Sequence, residues 1–175
     1  MSYRPHAFSW CLGLLLGVFA SCHQPHASPC DGGTCWCPAG DDCTLPCAAP
    51  PCHLDCLEDS SCAGECANGD CTCRAGASCS FSCDAPPCHV ICDGDNPHCD
   101  GACANGSCTC GADSSCAFVC DAPPCHASCA ANSACTLECP SGYGDGCDFS
   151  ECAGTEPTIC PDGVTAVCGT ACPSA

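Results

Sequence analysis

The chain has 175 residues, 32 of them cysteine, and a formal net charge of −18 from 20 acidic residues against two basic ones, Arg4 and Arg74. After residue 22 only fifteen side chains are Leu, Ile, Val, Phe, Trp or Tyr. That is too few for a hydrocarbon core and excludes a cytosolic enzyme with a large interior; one cationic residue beyond the first 22 excludes a nucleic-acid binder, which needs Lys and Arg for phosphate.

Residues 1–21 read as a secretory signal. Arg4 and the amino terminus form a short basic region, and residues 8–20 are almost wholly apolar. As a helix this stretch spans roughly 20 Å, short of the ~30 Å bilayer core. Two cleavage sites compete. Val18-Phe19-Ala20 suits a cut after Ala20 and simple secretion, whereas Phe19-Ala20-Ser21-Cys22 resembles a lipobox, in which Cys22 is lipidated and begins the mature chain. Parity favours lipidation, because losing Cys11 with the signal and Cys22 to the lipid leaves 30 cysteines, an even number. Residues 22–29 would then be a tether kept extended by Pro25 and Pro29.

Of the remaining 30 cysteines, 24 fall into three registers. Residues 30–65 carry Cys30, Cys35, Cys37, Cys43, Cys47, Cys52, Cys56 and Cys62; residues 66–102 carry Cys66, Cys71, Cys73, Cys79, Cys83, Cys88, Cys92 and Cys99; residues 103–138 carry Cys103, Cys108, Cys110, Cys116, Cys120, Cys125, Cys129 and Cys135. Eight cysteines per repeat can close four bridges each, which points to a disulfide scaffold formed in an oxidising compartment. Which cysteine joins which is not fixed by spacing, since eight allow 105 pairings.

A finer beat of about nine residues runs inside the repeats, with rungs beginning at Cys35, Cys43, Cys52, Cys62, Cys71, Cys79, Cys88, Cys99, Cys108, Cys116, Cys125 and Cys135. Most read Cys-x-x-x-Cys. The central residues Leu45, Leu54, Phe81, Val90, Phe118, Ala127 and Leu137 are apolar, and their neighbours Thr44, Asp55, Ser80, Ser82, His126, Ser128 and Glu138 are mostly polar. Ile91 and Val119 depart from that rule. The alternation predicts five-residue strands with Cys, apolar, Cys facing inward. Helix would also bring i and i+4 together, but the Pro-Pro and Asn-Gly linkers leave segments too short to hold one.

The predicted fold is therefore small, disulfide-rich and all-β: a two-sided β-solenoid of about 18 residues per coil, or an antiparallel meander, the solenoid being preferred. Stacked rungs ~4.8 Å apart lie within bridging range, so pairing must cross between rungs. A string of EGF-like or laminin-like modules is a third architecture, which the stretch from Cys35 to Cys43 resembles. Residues 139–175, with Cys139, Cys147, Cys152, Cys160, Cys168 and Cys172, lose the beat and read as an irregular cap containing a hairpin turned at Asp162-Gly163.

Sites for chemistry are sparse. The Cys-x-Cys pairs Cys35/Cys37, Cys71/Cys73 and Cys108/Cys110 resemble those of metallothioneins, but Cys-x-x-Cys never occurs. His53, His89 and His126 recur after Ala-Pro-Pro-Cys and are expected to point outward, about 9–10 Å apart, too far to share one ion. Asp93-Gly94-Asp95-Asn96, and Asp145, Asp148 and Glu151, are candidate calcium ligands on loops. Catalytic signatures are lacking, and neither an enzyme activity nor a cofactor is expected.

The lipobox-like Phe19–Cys22 and the 36-residue cysteine repeats together resemble the cysteine-rich repeat lipoproteins of the Gram-negative envelope. The resemblance implies a lipid-anchored protein of the cell envelope, in the outer membrane, or a secreted one if Cys22 is not lipidated. It implies a structural or interaction role toward protein or glycan at the surface. Metal or calcium binding and a small inhibitor or toxin are the alternatives.

Overall fold

A computed structural model describes residues 30–174 apart from Gly32 and Ala48. The predicted signal, the tether and the lipidation site Cys22 lie outside the described residues. Among the described residues there is no helix.

The chain winds as a two-sided β-solenoid of six coils; the meander and the modular string are both ruled out by parallel pairing between every second strand. One face, here called face A, stacks β2 (Thr34–Cys37), β4 (His53–Cys56), β6 (Gly69–Cys73), β8 (Cys88–Cys92) and the distal parts of β9 (His98–Cys110) and β10 (Ser115–Cys129). Face B stacks β3 (Asp42–Leu45), β5 (Ser61–Glu65), β7 (Ser78–Ser82), the proximal parts of β9 and β10, and β11 (Ala134–Glu138). Both β9 and β10 run round a corner from one face to the other.

The ends differ from the body. β1 (Cys30–Asp31) closes face A antiparallel on β2. At the other end β12 (Cys147–Cys152) adds one more parallel strand to face A, beyond the point at which the nine-residue beat stops. β13 (Thr158–Ile159) and β14 (Thr165–Cys168) form the expected hairpin, with Gly163 at φ 73°, and β14 lies antiparallel on β11. This hairpin is the irregular cap.

Period-two alternation sets what is inside. Leu45, Leu54, Phe81, Val90, Phe118, Ala127 and Leu137 are all buried, whereas Thr44, Ser80, Ser82, His126 and Glu138 are exposed. Ile91 and Val119 are outward and half-buried.

One part of the rung reading needs correction. Cys35, Cys71 and Cys108 do not open their strands. They occupy the central inward position, in register with Leu54, Val90 and Ala127. The cause is corner length. Cys-Ala-Ala-Pro-Pro-Cys and its copies return to face A two residues later than Cys-Ala-Asn-Gly, so the cysteine after Asn-Gly falls one inward position further along the strand.

That shift alternates the contents of the coils. The central inward column reads Cys35, Leu54, Cys71, Val90, Cys108, Ala127 on face A. On face B it reads Leu45, Gly64, Phe81, Gly101, Phe118, Leu137. Every coil thus holds one bulky apolar side chain opposite a small one, in a gap too thin for two. A two-coil unit is the smallest that repeats, which is why the sequence period is near 36 rather than 18.

Candidate functional site

Corners, not faces, carry the cross-links. Fourteen disulfides join described residues, and up to Cys147 each links a cysteine to the next one along the chain. One edge is closed by Cys37–Cys43, Cys56–Cys62, Cys73–Cys79, Cys92–Cys99, Cys110–Cys116 and Cys129–Cys135. The opposite edge is closed by Cys47–Cys52, Cys66–Cys71, Cys83–Cys88, Cys103–Cys108, Cys120–Cys125 and Cys139–Cys147. Cys152–Cys168 and Cys160–Cys172 hold the cap, and Cys35 is also disulfide-bonded. The Cα separations of 5.5–6.3 Å sit inside the usual bridging window. Pairing does cross between rungs, but round the corner to the following rung rather than up the stack.

Local sequence forms the two edges differently. On the first edge each loop turns through a left-handed residue, in order Gly40, Asp59, Gly76, Asn96, Asp113 and Asn132, and the longer Cys92–Cys99 loop also has Gly94 at positive φ. These are the residue types that tolerate positive φ. Successive loops are hydrogen-bonded to one another, as from Gly40 N to Glu58 O at 3.0 Å and from Gly76 N to Asp95 O at 2.8 Å. Buried Ser60 donates to Leu57 O at 2.6 Å within its loop. On the second edge Pro-Pro corners, with cis bonds at Pro50–Pro51, Pro86–Pro87 and Pro123–Pro124, alternate with Asn68-Gly69 and Asn105-Gly106. A Cβ on Gly69 would strike the Cys52 carbonyl, and one on Gly106 the Cys88 carbonyl.

The edges therefore differ in sulfur register. On the first edge Cys37, Cys56, Cys73, Cys92, Cys110 and Cys129 stack without a break, as do Cys43, Cys62, Cys79, Cys99, Cys116 and Cys135. On the second edge the residue that opens the face A strand alternates, Gly69 being in register with Cys88 and Gly106 with Cys125, although Cys103 is in register with Cys120 and Cys125 with Cys147.

Outward side chains supply the exposed chemistry. On face A one column runs Thr34, His53, Asp70, His89, Ser107, His126, Asp148. The three histidines point outward as expected, two coils apart. Their partners are distinct: His126 Nδ1 lies 2.8 Å from Asp148 Oδ1, His53 Nδ1 3.7 Å from Asp70 Oδ2, and His89 Nδ1 3.0 Å from Ser107 Oγ. In the next column Asp55 accepts at both carboxylate oxygens from Arg74, which lies just past β6, at 2.7 and 2.9 Å. The hydrogen bond and the negative charge of Asp55 raise the Arg74 pKa above its ordinary value and keep it charged.

The outward side chains of face B are mostly small. Two adjoining open depressions of about 360 and 340 Å³ run across its first strands, sharing Thr44, Ala63 and Ser80, with Asp42, Asp100 and Glu65 at their margins. In the cap, Asp162 accepts hydrogen bonds from Thr165 Oγ1 at 2.7 Å, Thr165 N at 2.9 Å and Val164 N at 3.0 Å. These bonds hold its carboxyl below the usual carboxylate range.

The candidate calcium ligands are not gathered. Asp93 bonds its neighbour Gly94, Asp148 faces His126, and Glu151 accepts from Ser128 at 3.3 Å. Among the described residues the groups close enough to hold an ion are Cys56, Cys62 and Cys79, and Cys92, Cys99 and Cys116. Every one of those sulfurs is in a disulfide. Sequence spacing did not single out these triads, because they arise from register between coils.

Comparison with protein-family models, curated proteins and solved structures finds no match to this chain. The geometry alone therefore supports the coarse statement: this is a disulfide-stabilised β-solenoid of an oxidising, extracellular environment.

Proposed function

We propose that the chain is a non-catalytic interaction module at the cell surface, a short acidic rod anchored by lipid at Cys22. The observation that carries this reading is the filled interior. Each coil contains sulfur, one bulky side chain and a facing small residue, so ligands are left with the two outward faces. Face A offers imidazole groups alternating with carboxylate or hydroxyl groups; face B offers a hydroxyl-lined, acid-edged surface. Both suit polar recognition of protein or glycan. The strong negative charge keeps such a rod soluble and unassociated with itself.

The anchor is tested by expressing the full chain in a Gram-negative host and fractionating wild type against Cys22→Ser. Wild type is expected in the membrane fraction with an acylated N-terminal peptide, and Cys22→Ser in the soluble exported fraction. Identical soluble fractionation of both, with the mature chain starting at Ser21, would show secretion instead. The interaction role is tested by capture on purified envelope glycans and surface proteins. Absence of any bound partner, with no envelope change on deletion, would refute it.

A further inference from the structure

We infer that the unbroken sulfur column on the first edge is an internal thiol–disulfide exchange track, active at two points. Two observations carry it. First, Cys62 is in direct register with Cys79, and Cys99 with Cys116, on adjacent parallel strands. Second, the sulfurs of Cys56, Cys62 and Cys79 lie within 4.8 Å of one another, as do those of Cys92, Cys99 and Cys116. In each triad two sulfurs form one bridge and the third belongs to the bridge of the next coil. Stacked strands also put register partners at ~4.8–5 Å between Cα atoms, within the span a disulfide accepts. Bridges up the stack thus lie within bridging range, as bridges round the corner do.

The step needs one thiolate and no oxidant. With Cys56–Cys62 opened, the Cys62 thiolate attacks Cys79 Sγ. A Cys62–Cys79 bond forms, the Cys73–Cys79 bond breaks, and its electron pair leaves on Cys73 as thiolate. One disulfide and one thiolate exist before and after. In the second triad Cys99 attacks Cys116 and releases Cys110. The second edge also has cysteines in register, Cys103 with Cys120 and Cys125 with Cys147, but among the described residues it gathers no sulfur triad of this kind, and Gly69 stands in register with Cys88. A thiol arising on Cys62 or Cys99 therefore passes to the next coil, whereas one arising on Cys52, which has Gly69 beside it in the next coil, stays where it formed. The intact protein receives such a thiolate when an external thiol, such as a glutathione-type monothiol, opens a bridge.

The test uses the full chain with one cysteine removed, so that the odd thiol itself starts the exchange. Cys56→Ala leaves Cys62 odd, Cys92→Ala leaves Cys99 odd, and Cys47→Ala leaves Cys52 odd on the second edge. Each oxidised variant is checked for wild-type far-UV circular dichroism, acid-quenched, denatured, alkylated and mapped by peptide mass spectrometry. The label is expected on Cys73 as well as Cys62 in the first variant and on Cys110 as well as Cys99 in the second. The migrated share should be on the order of a tenth or more, since both bridges lie within bridging range. Cys47→Ala should carry label on Cys52 alone. Label confined to Cys62 and Cys99 would overturn the inference. So would equal spreading in Cys47→Ala, which would mean scrambling in an unfolded chain. If one first-edge variant fails to fold, the other decides.

Discussion

Leu54 of face A occupies the space that a side chain on Gly64 of face B would need. A Cβ on Gly64 would collide with Leu54 Cδ1, and one on Gly101 would come within 3.1 Å of Val90 Cγ2. Each coil is closed by sulfur at its corners and separates its faces by one side chain's depth. Enlarging the small partner is therefore expected to destabilise. Gly64→Leu should cost about 1–3 kcal/mol by overpacking, and Gly64→Leu with Leu54→Ala should recover much of it. Denaturant unfolding of the two singles and the double checks this. An additive double variant would contradict the one-large, one-small rule.

Loop length sets what each bridge contributes. The corner bridges close loops of 5–8 residues, while Cys152–Cys168 spans 16. Restriction of the unfolded chain gives about 2 kcal/mol for a corner and about 3 kcal/mol for the longer loop. Replacing Cys103 and Cys108 together by alanine should thus cost less than replacing Cys152 and Cys168 together, as read from unfolding midpoints. The reverse order would mean that bridges act through native packing.

Much of this was legible in the sequence. Strand positions and the buried identities of Leu45, Phe81 and Leu137 follow from alternation alone, because a β period of two needs no tertiary information. The position of Cys71 was not legible, since it depends on whether the preceding corner is Ala-Ala-Pro-Pro or Ala-Asn-Gly, a difference in return path and not in strand pattern. Nor was the pairing: a cysteine such as Cys62 has Cys56 round the corner and Cys79 above it, both within reach. Spacing reports both without choosing. The outward columns were only partly legible, the histidines by their repeated motif and their Asp70, Ser107 and Asp148 neighbours not at all.

Arg74 and Asp55 form a bidentate but substantially exposed pair, with side chains 47% and 33% accessible. Arg74→Ala is expected to cost no more than about 1 kcal/mol, and less in high salt. Thermal midpoints at low and high ionic strength measure it. A loss of several kcal/mol would indicate that the pair locks the loops between coils.

The Asp162 carboxylate organises the cap hairpin. Its pKa is lowered in the folded chain, so the stabilisation is present above the unfolded carboxylate pKa and disappears as pH falls through the lower folded value. Amide signals of Val164 and Thr165 should therefore shift together at acid pH, below the usual carboxylate range, and Asp162→Asn should abolish that titration. An ordinary carboxylate midpoint for these amides would contradict the hydrogen-bonded turn.

Full reduction should remove the fold, since fifteen bulky side chains cannot hold six coils. Far-UV circular dichroism after treatment with a strong dithiol is expected to become that of an unordered chain. Persistence of the β signal would show that the backbone ladders suffice.

The most direct measurement is peptide mapping of the oxidised protein without reduction. Each cysteine from Cys37 to Cys147 is expected to be linked to its neighbour in the chain, giving Cys47–Cys52, Cys66–Cys71 and Cys73–Cys79 among the linked peptides, with no free thiol at these positions. Bridges joining equivalent cysteines of different repeats, or thiols left reduced, would contradict a solenoid stapled at its corners.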